Sequence, residues 1–461
     1  MARYIRSVKA VGIHGRFDLE CEFVDGVNII YGENGTGKTT LLHILANVLN
    51  GDYERFFYLD FSTVEVRLDD GQVVSLRLNK RKVGGHEHTY VEVNGIQATG
   101  EFCNTRDRVI GSAEEARTIR ERDRRASRGD RPDAPRLPLT AAYFPAFRTA
   151  IDAWAAHNEE TSPRPSTAAV RHRRDKTDFA RVLFGNFVPR LEYPATNEIE
   201  WTLNEQVRIA IASVSRADRQ YFGEVPSRIL ETLSDRDQLV QDPDEVLEEI
   251  KLLSKRFQDY PIHVESTWTE LDKSVRAVPK NEQNKRVAAA VLSVYRTALE
   301  RIIRVQERAF SKIERYLFTV NSFLHDKSIN IGPAEGRLRS VPSVRMEFEG
   351  EKVRSIPLHR ALSSGERQIV TLIYASTQMS QQEVILVDEP EISLHVDWQR
   401  KLLPAMVKQM PSKQLIVCTH SPVISTRYRE RMQELNPSIS RYVSTGTPTM
   451  DLFEDTDEVD Q

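Results

Sequence analysis

Cysteine is scarce: Cys21, Cys103 and Cys418 are the three in 461 residues. Their wide separation offers neither metal-ligand spacing nor a disulfide framework, so reduced and mostly buried thiols are expected. Long apolar runs are missing too. No stretch approaches the roughly 18 residues of a membrane span, and Met1-Ala2-Arg3 does not open a signal peptide. The sequence therefore predicts a cytoplasmic protein with no membrane partner. Nor does one sign of charge predominate: 64 Lys and Arg face 67 Asp and Glu, a net charge of −3. That excludes a globally basic nucleic-acid binder and leaves room only for a local patch. The length exceeds what one core usually serves, so two domains, or one with a large insertion, are expected.

What is present is most concentrated in Val27 to Asn50, VNIIYGENGTGKTTLLHILANVLN. A short apolar run of β type enters a glycine-bracketed loop and leaves it as a helix with leucines and isoleucine at helical spacing. Gly32, Gly37, Lys38 and Thr39 fit G-x-x-x-x-G-K-[ST], the phosphate-cradling P-loop. Glycine lets backbone N–H groups wrap a phosphate, and the helix start presents its positive end to the same anion. Candidate nucleotide contacts are Gly32, Glu33, Asn34, Gly35, Thr36, Gly37, Lys38, Thr39 and Thr40. Lys38 suits the β- and γ-phosphates of ATP, and the Thr39 hydroxyl suits Mg²⁺, which prefers oxygen ligands.

Around this stretch, residues 3 to 24 alternate as an antiparallel pair. Val64 to Leu68 with Val73 to Leu78, and Tyr90 to Val93 with Ile96, read as hairpins. Arg106 to Pro138 is rich in Arg, Asp, Gly and Pro and reads as a solvated loop, as does Arg164 to Lys176. Between them, Leu139 to Trp154 reads as a buried strand turning into a helix near Pro145 and Arg148. Arg148 is a candidate phosphate or partner contact, or alternatively a surface Arg at a helix start. Helical periodicity marks Asp244 to Phe257 and Val287 to Leu324. Arg301, Arg304, Arg308, Lys312 and Arg315 interleave with Glu300 and Glu307 and read as a salt-bridged face. Strand signals return at Val344 to Phe348.

Three later stretches suit the far side of a nucleotide site. LSSGERQ, from Leu362 to Gln368, opens a helix whose start offers hydroxyls and N–H groups to an anion; an ordinary N-cap is the alternative. EVILVDEP, Glu383 to Pro390, is an apolar strand ending in adjacent carboxylates. A division of labour accounts for them: Asp388 for the Mg²⁺, and Glu389 to polarise the attacking water. LIVCTHS, Leu415 to Ser421, delivers His420 toward the same edge, where it can bond the γ-phosphate or that water.

Together these motifs resemble the signature motif, Walker B strand and switch histidine of ABC-type ATPases. DEPEISLH and CTHSPVI are similar to the recF, SMC and OLD-like group. The phrases YFPAFR, NSFL and DEPEISLHVDWQ resemble the ATPase subunits of bacterial antiphage systems of the Septu PtuA, PARIS and retron-associated kinds. The resemblance implies an α/β fold, a P-loop ABC-type core with a mixed sheet and antiparallel β layer, carrying a large helical insertion. The expected division is 1–155 for the first part of the core, 156–335 for the mainly helical insertion, 336–430 for the second part, and 431–461 for a short segment and acidic tail.

It further implies that two copies sandwich ATP, with Ser363, Ser364, Gly365 and Glu366 completing the partner's site and Glu391 to His395 lining the interface. No glutamine stands where the family's Q-loop would be; YFPAFR occupies that place. The segment beyond Glu430 is too short for a toprim domain, so a separate nuclease or toprim protein is expected as effector. The sequence thus reads as a slow, homodimerising ATPase that regulates this effector. The alternative is a recF-like DNA-repair ATPase that grips duplex DNA itself. A transporter ATPase is disfavoured by the helical segment between Gly37 and Leu362.

Overall fold

In a computed structural model of the chain, the described residues are 3–83, 86–99, 102–103, 135–148, 151, 176–191, 193–234, 242–258, 282–332, 342–348, 356, 358–377, 379, 381–410 and 412–440. Most of the Arg106 to Pro138 loop, nearly all of Arg164 to Lys176, and the acidic tail lie outside them. The chain divides into two compact units, 1–193 with 381–461, and 194–380.

The first unit holds two sheets. One is antiparallel, built on β1 (Ile5–Ile13), β2 (Phe17–Glu22), β4 (Thr63–Leu68), β5 (Val73–Val83), β6 (His86–Val93), β7 (Ile96–Gln97), β8 (Phe102–Cys103) and β15 (Ser438–Ile439). Its order is β15-β2-β1-β4-β5-β6-β7, with β8 also on β6. In β4, residues alternate between buried and more exposed, as a sheet with one covered face requires. The other sheet is parallel: β14 (Met432–Glu434), β3 (Val27–Tyr31), β13 (Gln414–Cys418), β12 (Val384–Asp388) and β9 (Ala141–Phe144), in that order. Every residue of β9, β12 and β13 is buried. This is why these strands read as unbroken apolar runs.

The parallel register aligns Phe144, Val387, Val417 and Ile29 across neighbouring strands. The next row carries Asp388, Cys418 and Ile30. Helix α1 (Lys38–Leu49) follows β3 and packs on this sheet; nearly all its residues are buried. The buried side chain of Gln414 joins the two sheets. Its Oε1 accepts from Ile5 N at 2.9 Å and its Nε2 donates to Ile5 O at 2.9 Å. Cys21 and Cys418 are buried free thiols, as expected, and burial pushes the Cys21 thiol up to about 12.

The second unit is mainly helical: α2 (Thr196–Ser234), α3 (Pro243–Gln258), α4 (Glu282–Asn321), α5 (Leu358–Ala361) and α6 (Ser364–Ser376), with the hairpin β10 (Lys327–Gly332) and β11 (Ser343–Phe348). Helix α2 buries Ile199, Leu203, Val207, Ala210, Val214 and Ala217, a stripe at three- and four-residue steps. Helix α4 packs against both α2 and α3. It buries Ala298, Leu299, Ile302, Ile303, Phe310, Ile313 and Tyr316 in a broad apolar face, with the polar Gln306 buried among them. Arg304 pairs with Glu300 at 3.4 Å, as the i,i+4 spacing predicts. In the first unit, α7 (Val396–Gln409) connects β12 to β13 as the crossover that parallel strands need.

Candidate functional site

The site lies where β3, β12 and β13 end. Gly32 follows β3, and a Cβ on it would meet Leu435 O at 3.1 Å and Thr36 Oγ1 at 3.2 Å. Gly37 adopts φ 89°, and a Cβ there would come within 3.3 Å of Leu19 Cδ1. Glycine is thus required by both backbone conformation and space. Gly37 precedes α1 and has no side chain to cap it. Glu33, Asn34, Gly35 and Thr39 are exposed, while Gly32, Thr36, Gly37 and Thr40 are half-buried. Thr36 Oγ1 donates to Glu33 O at 2.9 Å. Lys38 is buried, and its Nζ donates to Gly32 O at 3.0 Å and Glu33 O at 2.8 Å. The ammonium is folded onto the rim of the loop it would serve.

Thr39 Oγ1 donates to Asp388 Oδ2 at 2.9 Å, tying the loop to the end of β12. Asp388 is 2% exposed, and its Oδ1 has no hydrogen-bond partner among the described residues. Burial pushes this carboxyl up to about 6, and the Glu389 charge adds to the effect. The Thr39 hydroxyl, the Arg148 guanidinium and the Lys38 ammonium oppose it. A buried acid with an orphan oxygen beside a threonine hydroxyl is a donor set that fits Mg²⁺.

Glu389 has φ 48°, a left-handed backbone uncommon for a residue with a side chain. Its Oε1 stands 3.1 Å from His420 Nε2. Burial raises this carboxyl above its ordinary range, as does Glu391, against the pull of His420 and Lys38. Glu389 N donates to Cys418 O at 2.9 Å, fastening the end of β12 to β13.

Arg148 differs from both sequence expectations. It is 2% exposed, and Nη1 donates to Pro145 O at 2.9 Å and Asp388 O at 3.1 Å, while Nη2 reaches Glu389 O at 3.4 Å. Its planar fork satisfies backbone carbonyls beneath the carboxylates rather than facing a phosphate or solvent. The reason is register: β9 pairs with β12, so the turn after Phe144 comes up beside the turn after Asp388.

Glu391 is the residue sequence reasoning missed here. The resemblance places it at an interface; within the chain its Oε1 accepts from Thr419 Oγ1 at 2.6 Å, His420 N at 2.8 Å and Ser421 N at 2.9 Å. The third carboxylate of DEPE was the available signal.

Thus Lys38, Thr39, Asp388, Glu389 and His420 meet at one edge of one sheet. Ser363, Ser364, Gly365 and Glu366 belong to the other unit. There Ser363 caps α6 in a reciprocal capping box: Glu366 N donates to Ser363 Oγ at 3.4 Å and Ser363 N donates to Glu366 Oε2 at 2.7 Å. Lys327 Nζ donates to the same Oε2 at 2.8 Å and to Ala361 O at 3.0 Å. Burial pushes the Glu366 carboxyl up, but Lys327 and the Ser363 bonds outweigh it and hold the group below its ordinary range. Ser363 and Ser364 are exposed, while Gly365 and Glu366 are buried.

No curated protein matches the sequence. Among solved structures, the chain is similar to an Smc head domain with an extended coiled coil, bound to the C-terminal domain of ScpA, from Pyrococcus furiosus. That match has 15% identity, covers 95% of this chain and 96% of that one, and has a TM-score of 0.38. It is also similar to a structure of the recombination mediator protein RecF (13% identity, 92% and 94% covered, TM-score 0.30). The family model described as "AAA domain, putative AbiEii toxin, Type IV TA system" matches residues 27–426. That span runs from the P-loop strand past His420, and the chain belongs to this family of P-loop ATPases.

Proposed function

We propose that the protein is an ABC-type ATPase of the SMC and recF kind that closes as a homodimer around ATP, hydrolyses it slowly, and thereby regulates a separate nuclease effector in antiphage defence. The observation that carries the reading is the convergence of Lys38, Thr39, Asp388, Glu389 and His420 at one sheet edge. The P-loop N–H groups and Lys38 bind and orient the triphosphate. Thr39 and Asp388 are the residues that would hold Mg²⁺, which when bound neutralises charge on the phosphate oxygens. Glu389 accepts a proton from the water whose oxygen attacks the γ-phosphorus as the bond to the β-phosphate oxygen breaks. Burial raises its pKa, which makes the carboxylate a stronger base than an exposed one. His420 orients Glu389 or the water from the other side.

The dimer follows from the resemblance. Ser363, Ser364 and Gly365, at the start of the 13-residue helix α6 in the other unit, would complete the site of a second copy. ATP-dependent closure is then the signal that the effector reads. The reading is tested by measuring ATP hydrolysis together with solution mass, with and without Mg-ATP, and by co-purification with the product of the neighbouring gene. A protein that hydrolyses no ATP and stays monomeric when saturated with it removes the proposal. Affinity for duplex DNA at low salt with no protein effector would instead favour the DNA-repair alternative.

A further inference from the structure

The turn that carries His420 is held by one carboxylate. Glu391 Oε1 accepts the Thr419 hydroxyl, the His420 N–H and the Ser421 N–H, at 2.6, 2.8 and 2.9 Å. Three donors converging on one oxygen fix the turn more firmly than any one of them, because a displacement that relieves one bond stretches another. The turn is braced further: Ser421 N also reaches Thr419 Oγ1 at 2.9 Å, and Ser421 Oγ donates to Gln399 Oε1 at 2.8 Å. Glu391 stands two residues beyond Glu389, on the same short loop after β12. Glu389 has a left-handed backbone, and its N–H is fastened to Cys418 O. The loop from Glu389 to Glu391 therefore grips the end of β13 twice. One grip lies before His420, at Cys418, and the other directly on His420 and its neighbours.

We propose that Glu391 is a positioning residue for hydrolysis, holding the His420 turn so that the imidazole stays within hydrogen-bond distance of the Glu389 carboxylate. It acts through His420 and touches neither nucleotide nor the attacking water. The role rests on the reading of Glu389 as the base, and the experiment separates the two.

Steady-state hydrolysis and equilibrium nucleotide binding are measured for Glu391→Ala, Glu391→Gln, His420→Ala, the double variant Glu391→Ala with His420→Ala, and Glu389→Gln. Glu391→Ala should lower kcat by roughly tenfold to a hundredfold, the scale of a misplaced catalytic group. ATP affinity should stay within about threefold, since the P-loop is untouched. Glu391→Gln keeps an acceptor oxygen on the same stem and should recover most of the lost kcat. Adding Glu391→Ala to His420→Ala should cost almost nothing further, because a residue that acts through another is not additive with it.

Full additivity in the double variant overturns the proposal. So does wild-type kcat in Glu391→Ala, or a loss of ATP binding alongside kcat that Glu391→Gln fails to repair. If Glu389→Gln turns over at the wild-type rate, the base assignment fails instead, whatever the Glu391 variants do.

Discussion

The Thr39 hydroxyl donates to Asp388 Oδ2 at 2.9 Å, joining residues 349 positions apart in the chain. One end of the bond is the first turn of the helix that follows the P-loop, and the other is the last residue of a buried strand. A change at either end is therefore felt at both.

Lys38→Ala should abolish measurable ATP binding at concentrations that saturate the wild type. The ammonium is the P-loop's only side-chain cation, and here it also ties Gly32 O and Glu33 O together. Titration with a fluorescent ATP analogue checks this. Undiminished affinity would mean that the nucleotide binds elsewhere.

Glu389→Gln should retain ATP and lose hydrolysis by roughly a hundredfold or more, the usual contribution of a positioned general base. With ATP present, light scattering should then find a long-lived dimer. A variant that hydrolyses normally assigns the base to another residue.

Arg148→Met should destabilise the first unit by about 2 to 5 kcal/mol, because the Pro145, Asp388 and Glu389 carbonyls lose a buried charged donor. Since two of these carbonyls flank the carboxylates, kcat should fall further than ATP affinity. Thermal unfolding paired with hydrolysis rates tests both statements.

Lys327→Met should leave ATP binding by the P-loop intact and weaken ATP-dependent dimerisation, since Lys327 holds Glu366 and Ala361 on either side of the serine loop. A concentration series by analytical ultracentrifugation with the Glu389→Gln variant as background reads this out. An unchanged dimer constant would leave Lys327 with a role in folding alone.

Acid should destabilise the first unit through His43, which sits on α1 with Nε2 2.8 Å from the Tyr143 hydroxyl. Burial lowers its pKa from 6.5 to about 3. The unfolded chain takes up a proton below about pH 6.5 and the folded one does not until about pH 3. His43 thus has no effect on the pH dependence above 6.5 and removes stability as pH falls through that window, at up to roughly 1.4 kcal/mol per pH unit. His43→Gln should flatten the fall of the unfolding free energy between pH 6 and about 4; an unaltered slope would place the acid sensitivity in other groups.

Part of this architecture is plain in the chain. The strands β3, β12 and β13 show as apolar runs because both their faces are covered, and the glycines of the P-loop show because its backbone admits little else. Arg148 was misread, and the bonds of Glu391 were missed, for one reason. Arg148 and Glu391 are charged, and composition sends charge to solvent or ligand. Here each bonds groups of a neighbouring turn, which only the pairing of β9, β12 and β13 brings within reach.

By itself the sequence determined which residue types stand ready for a triphosphate: a lysine after a glycine loop, a threonine beside it, and adjacent acids and a histidine each ending a buried strand. Those are local properties, set by backbone conformation and spacing along the chain. The tertiary structure alone decided that the strands lie side by side as β3, β13, β12 and β9, that the serine loop joins the helical unit, and that the Arg148 guanidinium and the Glu391 carboxylate bond the turns that carry Asp388, Glu389 and His420. Hydrogen bonds between turns hundreds of residues apart leave no periodic mark in sequence, because they depend on which strands become neighbours.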